Sequence, residues 1–192
     1  MTKSRKSLLL SELMLLVPLS LMLVLTLVVT SVTHAQSTNT LDTDKISATF
    51  VAPVVALPPD RNTTNTSSQL MYVANSKPAG ENDPNRVLQI ISVRTIDKPI
   101  DLNQASLDFY ATQAVNGGMT LISRRDGNYN GHLSTYVKSY TTSPDGKIQL
   151  IRRCFYILVS PTEVIIIMQS NISTNETASD TWDKFTDSLV IK

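Results

Sequence analysis

The rhythm of hydrophobic and polar positions changes several times along this chain, and each change predicts an element. An almost unbroken apolar run from Leu13 to Val32 gives way to QSTNTLDTD at 36–44, which is polar, aperiodic and reads as a flexible tether. ISATFVAPVVALPP follows, rich in Val, Ala and Thr but broken by Pro53, which suits an edge strand or extended arm. RNTTNTSSQ at 61–69 is a polar loop. LMYVAN and RVLQIISVRT are dominated by β-branched and aromatic residues and read as strands, joined by the turn-rich SKPAGENDPN.

DLNQASLDFYATQAVNGG then shifts to a helical period. Asp101 and Gln104 have capping-box-like spacing, and Gly117 and Gly118 supply a stop, so a helix is predicted over 101–116. Leu107, Tyr110, Ala111 and Ala114 form one apolar stripe that can dock on a sheet, and Leu102 and Phe109 widen it to one side. Four strand patterns follow: MTLISRR, HLSTYVKSYTT, KIQLIRRCFYILV and EVIIIMQS. Their connectors DGNYNG, SPDG and SPT are too short for parallel crossovers, so the strands should form an antiparallel meander. EVIIIMQS is apolar at consecutive positions, which predicts cover on both of its faces.

In ASDTWDKFTDSL the residues Ala178, Trp182, Phe185 and Leu189 lie along one helix face, with Asp180 and Asp183 near the positive end of the helix dipole. A short β-like tail closes the segment. The predicted fold class is α+β: a mainly antiparallel sheet flanked by helices, an αβα sandwich, in a single domain over 45–192.

The basic residues Lys3, Arg5 and Lys6 precede the apolar run, and Thr33-His34-Ala35 ends it with a small residue. That order resembles a signal peptide cleaved after Ala35. The competing reading is a retained anchor, since about 20 apolar residues suffice to span a bilayer. Either way the rest of the chain is expected outside the cytoplasm, secreted or periplasmic. No Cys lies near Ala35, so a lipid-modified N-terminus is not expected.

Without residues 1–35, 157 of the 192 residues remain, about one ordinary domain. The prefix takes three of the 17 Lys and Arg and one of the 16 Asp and Glu, which leaves 14 against 15 and a net charge of −1. That gives no electrostatic case for nucleic acid or anionic lipid as a partner. The expected partner is an envelope protein, with membrane contact only through 13–32 if that segment is uncleaved. Cys154 is the single cysteine, so no intramolecular disulfide can form; inside a strand pattern it reads as a small core residue and not a nucleophile.

LDFYATQAVNGG leading into MTLISRRDGNYNGHLSTYVKSY, the DGKIQLIRRCFYILV and EVIIIMQS hairpin, and the closing FTDSLVIK together resemble the PsbP-like family over residues 69–192. That family includes extrinsic proteins of photosystem II, a Ran-binding nuclear transport protein and bacterial envelope proteins. The resemblance implies the αβα sandwich. The chain departs from the family near its start, where VALPPDRN stands without a tryptophan, and no functional residue carries over.

Several constellations could carry chemistry. DGNYNG at 126–131 matches the opening of a calcium loop, but Val137 stands where a bidentate Glu belongs, so a Gly/Asn hairpin turn is the preferred reading. Arg124-Arg125 and Arg152-Arg153 should each be split across the sheet, with Arg125 and Arg153 able to converge across neighbouring strands. His132 and His34 are the two histidines, which leaves no pair for a metal or a triad in the domain. Ser139, Ser143 and Ser160 lack a nucleophile-elbow setting. Asp97, Asp101 and Asp108 fit turns, capping and a helix surface. Asn62, Asn65, Asn171 and Asn175 head N-x-[ST] sequons, glycan acceptors in a eukaryotic secretory pathway and otherwise polar loop residues. No catalytic, cofactor-binding or metal-ligating residue is assigned and no cofactor is expected. The expected function is a non-enzymatic binding or assembly protein of the cell envelope; a small secreted hydrolase or a carrier of a small apolar ligand are the alternatives.

Overall fold

Alternating side chains in the later half of the chain build one long antiparallel sheet, and the rest of the chain is arranged to cover it. The computed structural model describes residues 39–58, 68–76, 85–143, 146 and 149–192. The apolar run read as a signal peptide or anchor, the cleavage expected after Ala35, Asn62 and Asn65 lie outside the described residues. The main sheet contains β3 (Val54–Leu57), β4 (Gln69–Asn75), β5 (Val87–Thr95), β6 (Thr120–Tyr129), β7 (His132–Thr142), β8 (Gln149–Ser160) and β9 (Glu163–Ile172), in the order β3-β4-β5-β9-β8-β7-β6. A smaller sheet joins β1 (Thr40–Asp42), β2 (Ile46–Thr49) and β10 (Val190–Ile191), with β2 in the middle. The helices are α1 (Gln104–Val115) and α2 (Ala178–Asp187).

The meander expected over the last four long strands is present, each pair antiparallel. Asn130 and Gly131 make the β6–β7 turn with φ of 49° and 86°, the paired positive values of a two-residue hairpin turn that matches strand twist. The preceding Asp126, Gly127 and Asn128 are strand residues, so the turn is shorter than DGNYNG suggested. β9 lies between β5 and β8, and Val164, Ile165 and Ile167 are all buried, as its unbroken apolar run requires. β1 falls within the stretch read as a tether, so the folded region reaches back further than that reading allowed.

The αβα sandwich is corrected. Among the described residues 54% are strand and 17% helix, with two helices and two sheets, so the fold is β-rich. The physical reason lies in the flanking segments. ISAT and the tail residues Val190 and Ile191 have unpaired backbone groups that satisfy one another as strands, so one face of the main sheet is roofed by a second sheet as much as by a helix. The cap of α1 also differs from expectation. Asn103 caps it, its Oδ1 accepting from the Ser106 N–H at 3.1 Å, while Asp101 contributes its carbonyl to the Ser106 hydroxyl at 2.5 Å. Gly117 and Gly118 end the helix at φ of 81° and 83°, values that L side chains rarely adopt.

Two cores result. On one face Leu107, Tyr110, Ala111 and Ala114 of α1 pack on Val137, Cys154, Tyr156, Leu158 and Val164, with the Tyr110 and Tyr156 rings stacked at 5.3 Å. On the other, Ile46, Phe50, Val54, Trp182, Phe185 and Leu189 pack on Ile91, Ile157, Ile165 and Ile167. The stripe read from ASDTWDKFTDSL is therefore the docking face of α2: Trp182 is 7% exposed and Phe185 2%. Leu102 and Phe109, expected to widen the α1 stripe, are instead exposed.

Beneath α2 two glutamines with no exposed surface face each other across β5 and β9. Gln89 Nε2 donates to Gln169 Oε1 at 2.9 Å, and Gln169 Nε2 donates to the Ala178 carbonyl at 2.7 Å. Gln89 Oε1 accepts from the Val51 N–H at 2.7 Å. The pair thus ties both α2 and the chain before β3 to the middle of the sheet.

Gln169→Leu is expected to leave the Ala178 carbonyl and the Gln89 amide short of partners and to cost roughly 2–4 kcal/mol in urea unfolding. The double variant with Gln89→Leu should cost less than the sum of the two single variants; strict additivity would refute the coupling. Phe185→Ala should cost about 3–5 kcal/mol, whereas Phe109→Ala should stay within about 0.5 kcal/mol.

Candidate functional site

α2 sits over β5 and β9, where its backbone meets Gln89 and Gln169, while β8, β7 and β6 continue past it. The outward flank of the helix and the uncovered strands enclose a groove of about 760 Å³. Ser179, Asp183, Thr186 and Asp187 form its helix wall. Strand alternation puts Ser123, Arg125 and Tyr129 of β6, Tyr136 and Lys138 of β7, and Arg153 and Phe155 of β8 on its floor. Trp182 reaches into it from α2, its ring 5.8 Å from that of Tyr136. Tyr129 closes one end: its hydroxyl donates to the Leu189 carbonyl at 2.7 Å and lies 3.2 Å from that of Thr186, which satisfies carbonyls at the end of α2. Its ring meets Phe155 edge-on at 5.4 Å.

The arginine pairs divide as strand geometry requires. Arg125 and Arg153 face the groove and Arg124 faces the α1 side. The two arginines share one groove, but not from neighbouring strands: β7 runs between β6 and β8, and its Lys138 is the register partner of Arg153. Arg153 is 6% exposed, and its Nη1 donates to Asn171 Oδ1 at 2.6 Å. Among the described residues no carboxylate forms an ion pair with Arg125, Lys138 or Arg153. Burial raises the Tyr136 hydroxyl pKa, opposed by the nearby positive charge of Arg153. Sequence reasoning missed Lys138; its alternation with Tyr136 was the available signal.

The other singled-out residues lie elsewhere. Asp126 accepts from Arg124 Nε at 2.8 Å, from Gln104 Nε2 at 2.7 Å and from the Thr135 hydroxyl at 2.7 Å, and Arg124 also bonds Asp108 at 2.6 Å. This cluster clips α1 to β6 and occupies the carboxylate that a calcium loop would need. Among the described residues no three His, Cys, Asp or Glu gather as metal ligands. His132 pairs with Tyr129 at the hairpin. Ser139 is buried opposite Arg152, Ser160 lies beside Thr162, and Asp97 and Asp101 are exposed. Cys154 is buried, which pushes its thiol up to about 11. Asn171 and Asn175, read as polar loop residues or glycan acceptors, are 4% and 8% exposed; Asn171 lies within β9, bonded to Arg153, and Asn175 Oδ1 accepts from the Thr177 N–H at 3.1 Å. Asn171 Nδ2 donates to the Ile172 carbonyl at 2.8 Å, whereas Asn175 Nδ2 is buried with no partner among the described residues.

No protein-family model matches the chain, and no curated protein matches it. The fold is similar to that of a solved Pseudomonas aeruginosa protein of unknown function, PA94, at 17% identity and a TM-score of 0.50, over 72% of this chain and 91% of that one. LpqN, involved in cell envelope biogenesis of Mycobacterium tuberculosis, matches at 18% identity and a TM-score of 0.48, over 83% of this chain and 92% of its own. Neither structural neighbour is described as PsbP-like, so that resemblance rests on the sequence pattern alone. Among the described residues no helix is long and apolar enough to cross a membrane; the 13–32 run lies outside them.

The Arg124 cluster predicts an acid dependence. Hydrogen bonding from Arg124 is the largest influence on Asp126 and holds its carboxyl at about 2, below the ordinary 3.8. A depressed folded-state pKa contributes stability that is complete above the unfolded value and is lost as pH falls through the folded one. The difference in urea midpoint between wild type and Asp126→Asn should therefore be present at about pH 6 and close between about pH 4 and pH 2. A difference that persists unchanged at the acid end would refute this.

Proposed function

We propose that this chain is an exported, non-enzymatic binding protein of the cell envelope that works through the groove beside α2. The observation that carries the reading is the makeup of that groove: three cations, two carboxylates, aromatic rings and hydroxyls stand around an open volume able to take a ligand. Export is supported by Lys3, Arg5 and Lys6 ahead of the apolar run and by the small residue at Ala35. PsbP-like kinship belongs to the same reading, supported by the order of helix, four-strand meander and closing helix.

Fractionation of native cells should recover the protein in the envelope or outside the cell, beginning at Gln36 if the leader is cleaved. A photo-crosslinking residue in place of Asp187, in the groove wall, should label an envelope component that the same residue in place of Gln113, on the opposite face, does not. Recovery in the cytoplasm, or equal labelling from both positions, would defeat the proposal.

A further inference from the structure

We infer that the groove binds a small oxyanion joined to an apolar body, such as an alkyl phosphate or carboxylate, with Arg153, Lys138 and Arg125 holding the charge and Trp182, Tyr136 and Phe155 the body. The inference deepens the binding reading above and rests on its choice of groove. Its starting point is Arg153. A guanidinium carries five N–H donors and a permanent charge, yet this one is 6% exposed and its partners are neutral: Nη1 donates to the Asn171 amide oxygen at 2.6 Å, and the Tyr136 hydroxyl also bonds it. A buried charge without a direct ion pair is costly to the fold, and the carboxylates that share the groove, Asp183 and Asp187, stand on its helix wall and not against Arg153. Placing Lys138 directly across the strand pair adds like-charge repulsion.

Neither feature helps hold β7 to β8, since an apolar pair at the same register would do so without the penalty. An incoming oxyanion removes both penalties at once, because a planar guanidinium and an ammonium side by side match the oxygens of a phosphate or carboxylate. Arg125, diagonal to Lys138 on β6, gives a third positive group at the mouth. Asp183 and Asp187 stand on the opposite wall and repel an anion from the helix side, which fixes its head on the sheet. The rings then lie where the rest of the ligand must go. A volume of about 760 Å³ suits one small molecule, which is why a free amphiphile is assigned and not the surface of a bilayer.

Trp182 is the single tryptophan of the chain and lines the groove, so its fluorescence reports occupancy. The protein, as its own host processes it, is titrated with octyl phosphate below its micelle-forming concentration, with inorganic phosphate, with octyl glucoside and with phosphatidylglycerol vesicles. Octyl phosphate should bind saturably, at least tenfold tighter than inorganic phosphate or octyl glucoside, and more weakly as sodium chloride is raised. Arg153→Gln and Lys138→Gln should each weaken it at least tenfold, while Arg152→Gln, one residue along and on the other face, should leave it unchanged; melting temperatures confirm that each variant folds. Equal binding of octyl glucoside would overturn the assignment of charge, and a response to vesicles without one to octyl phosphate would overturn the assignment of a small ligand. An envelope protein blind to octyl phosphate would sink this inference alone, and a cytoplasmic protein that binds it would sink the envelope role alone.

Discussion

The hydrogen-bonded pair of Gln89 and Gln169 is the constraint on which the arrangement of one whole face depends. Two primary amides in the middle of an apolar sheet are unfavourable unless nearly all their donors and acceptors are met. They are met by each other, by the Ala178 carbonyl and by the Val51 N–H. Hydrophobic burial of Phe185 and Trp182 is non-directional and would tolerate α2 at many angles on the sheet. The amides tolerate few, and so they decide which strands the helix covers and which it leaves open. The groove follows from that placement: it is the part of the sheet beyond the reach of a helix fixed over β5 and β9.

Where one residue property determined the outcome, the fold was legible in the sequence. The meander followed from short connectors that admit no parallel crossover, the burial of β9 from its unbroken apolar run, and the docking face of α2 from the spacing of Ala178, Trp182, Phe185 and Leu189. Legibility failed where partners distant in sequence decide. ISAT and Val190–Ile191 are individually too short to announce a sheet, and their pairing depends on the tertiary approach that α2 provides. A helix-flanked sandwich was therefore expected where a second sheet is found. The α1 cap was misassigned because Asp101 and Asn103 both suit a cap and only backbone geometry separates them.

The groove was legible in fragments. Alternation along β6 and β8 separated Arg125 from Arg124 and Arg153 from Arg152, but strand order placed β7 between them. Net charge concealed the rest. A sum near zero says nothing of distribution, and here Arg124 is neutralised by Asp108 and Asp126 on one face while three cations share the other without ion pairs among the described residues. Asn171 shows the same limit of local reading: a sequon by pattern, it is in place the polar contact of a buried arginine.

The pairing of Ile191 with Ile46 joins segments separated by most of the domain, whereas the buried α1 core is drawn from residues 107–164, a shorter span. Closing so long a span costs more chain entropy than forming the local hairpins, though the cost rises only with the logarithm of the span. Val190 and Ile191 cover one edge of β2 while β1 covers the other, so the middle strand of the small sheet leaves no open edge to pair with a foreign chain.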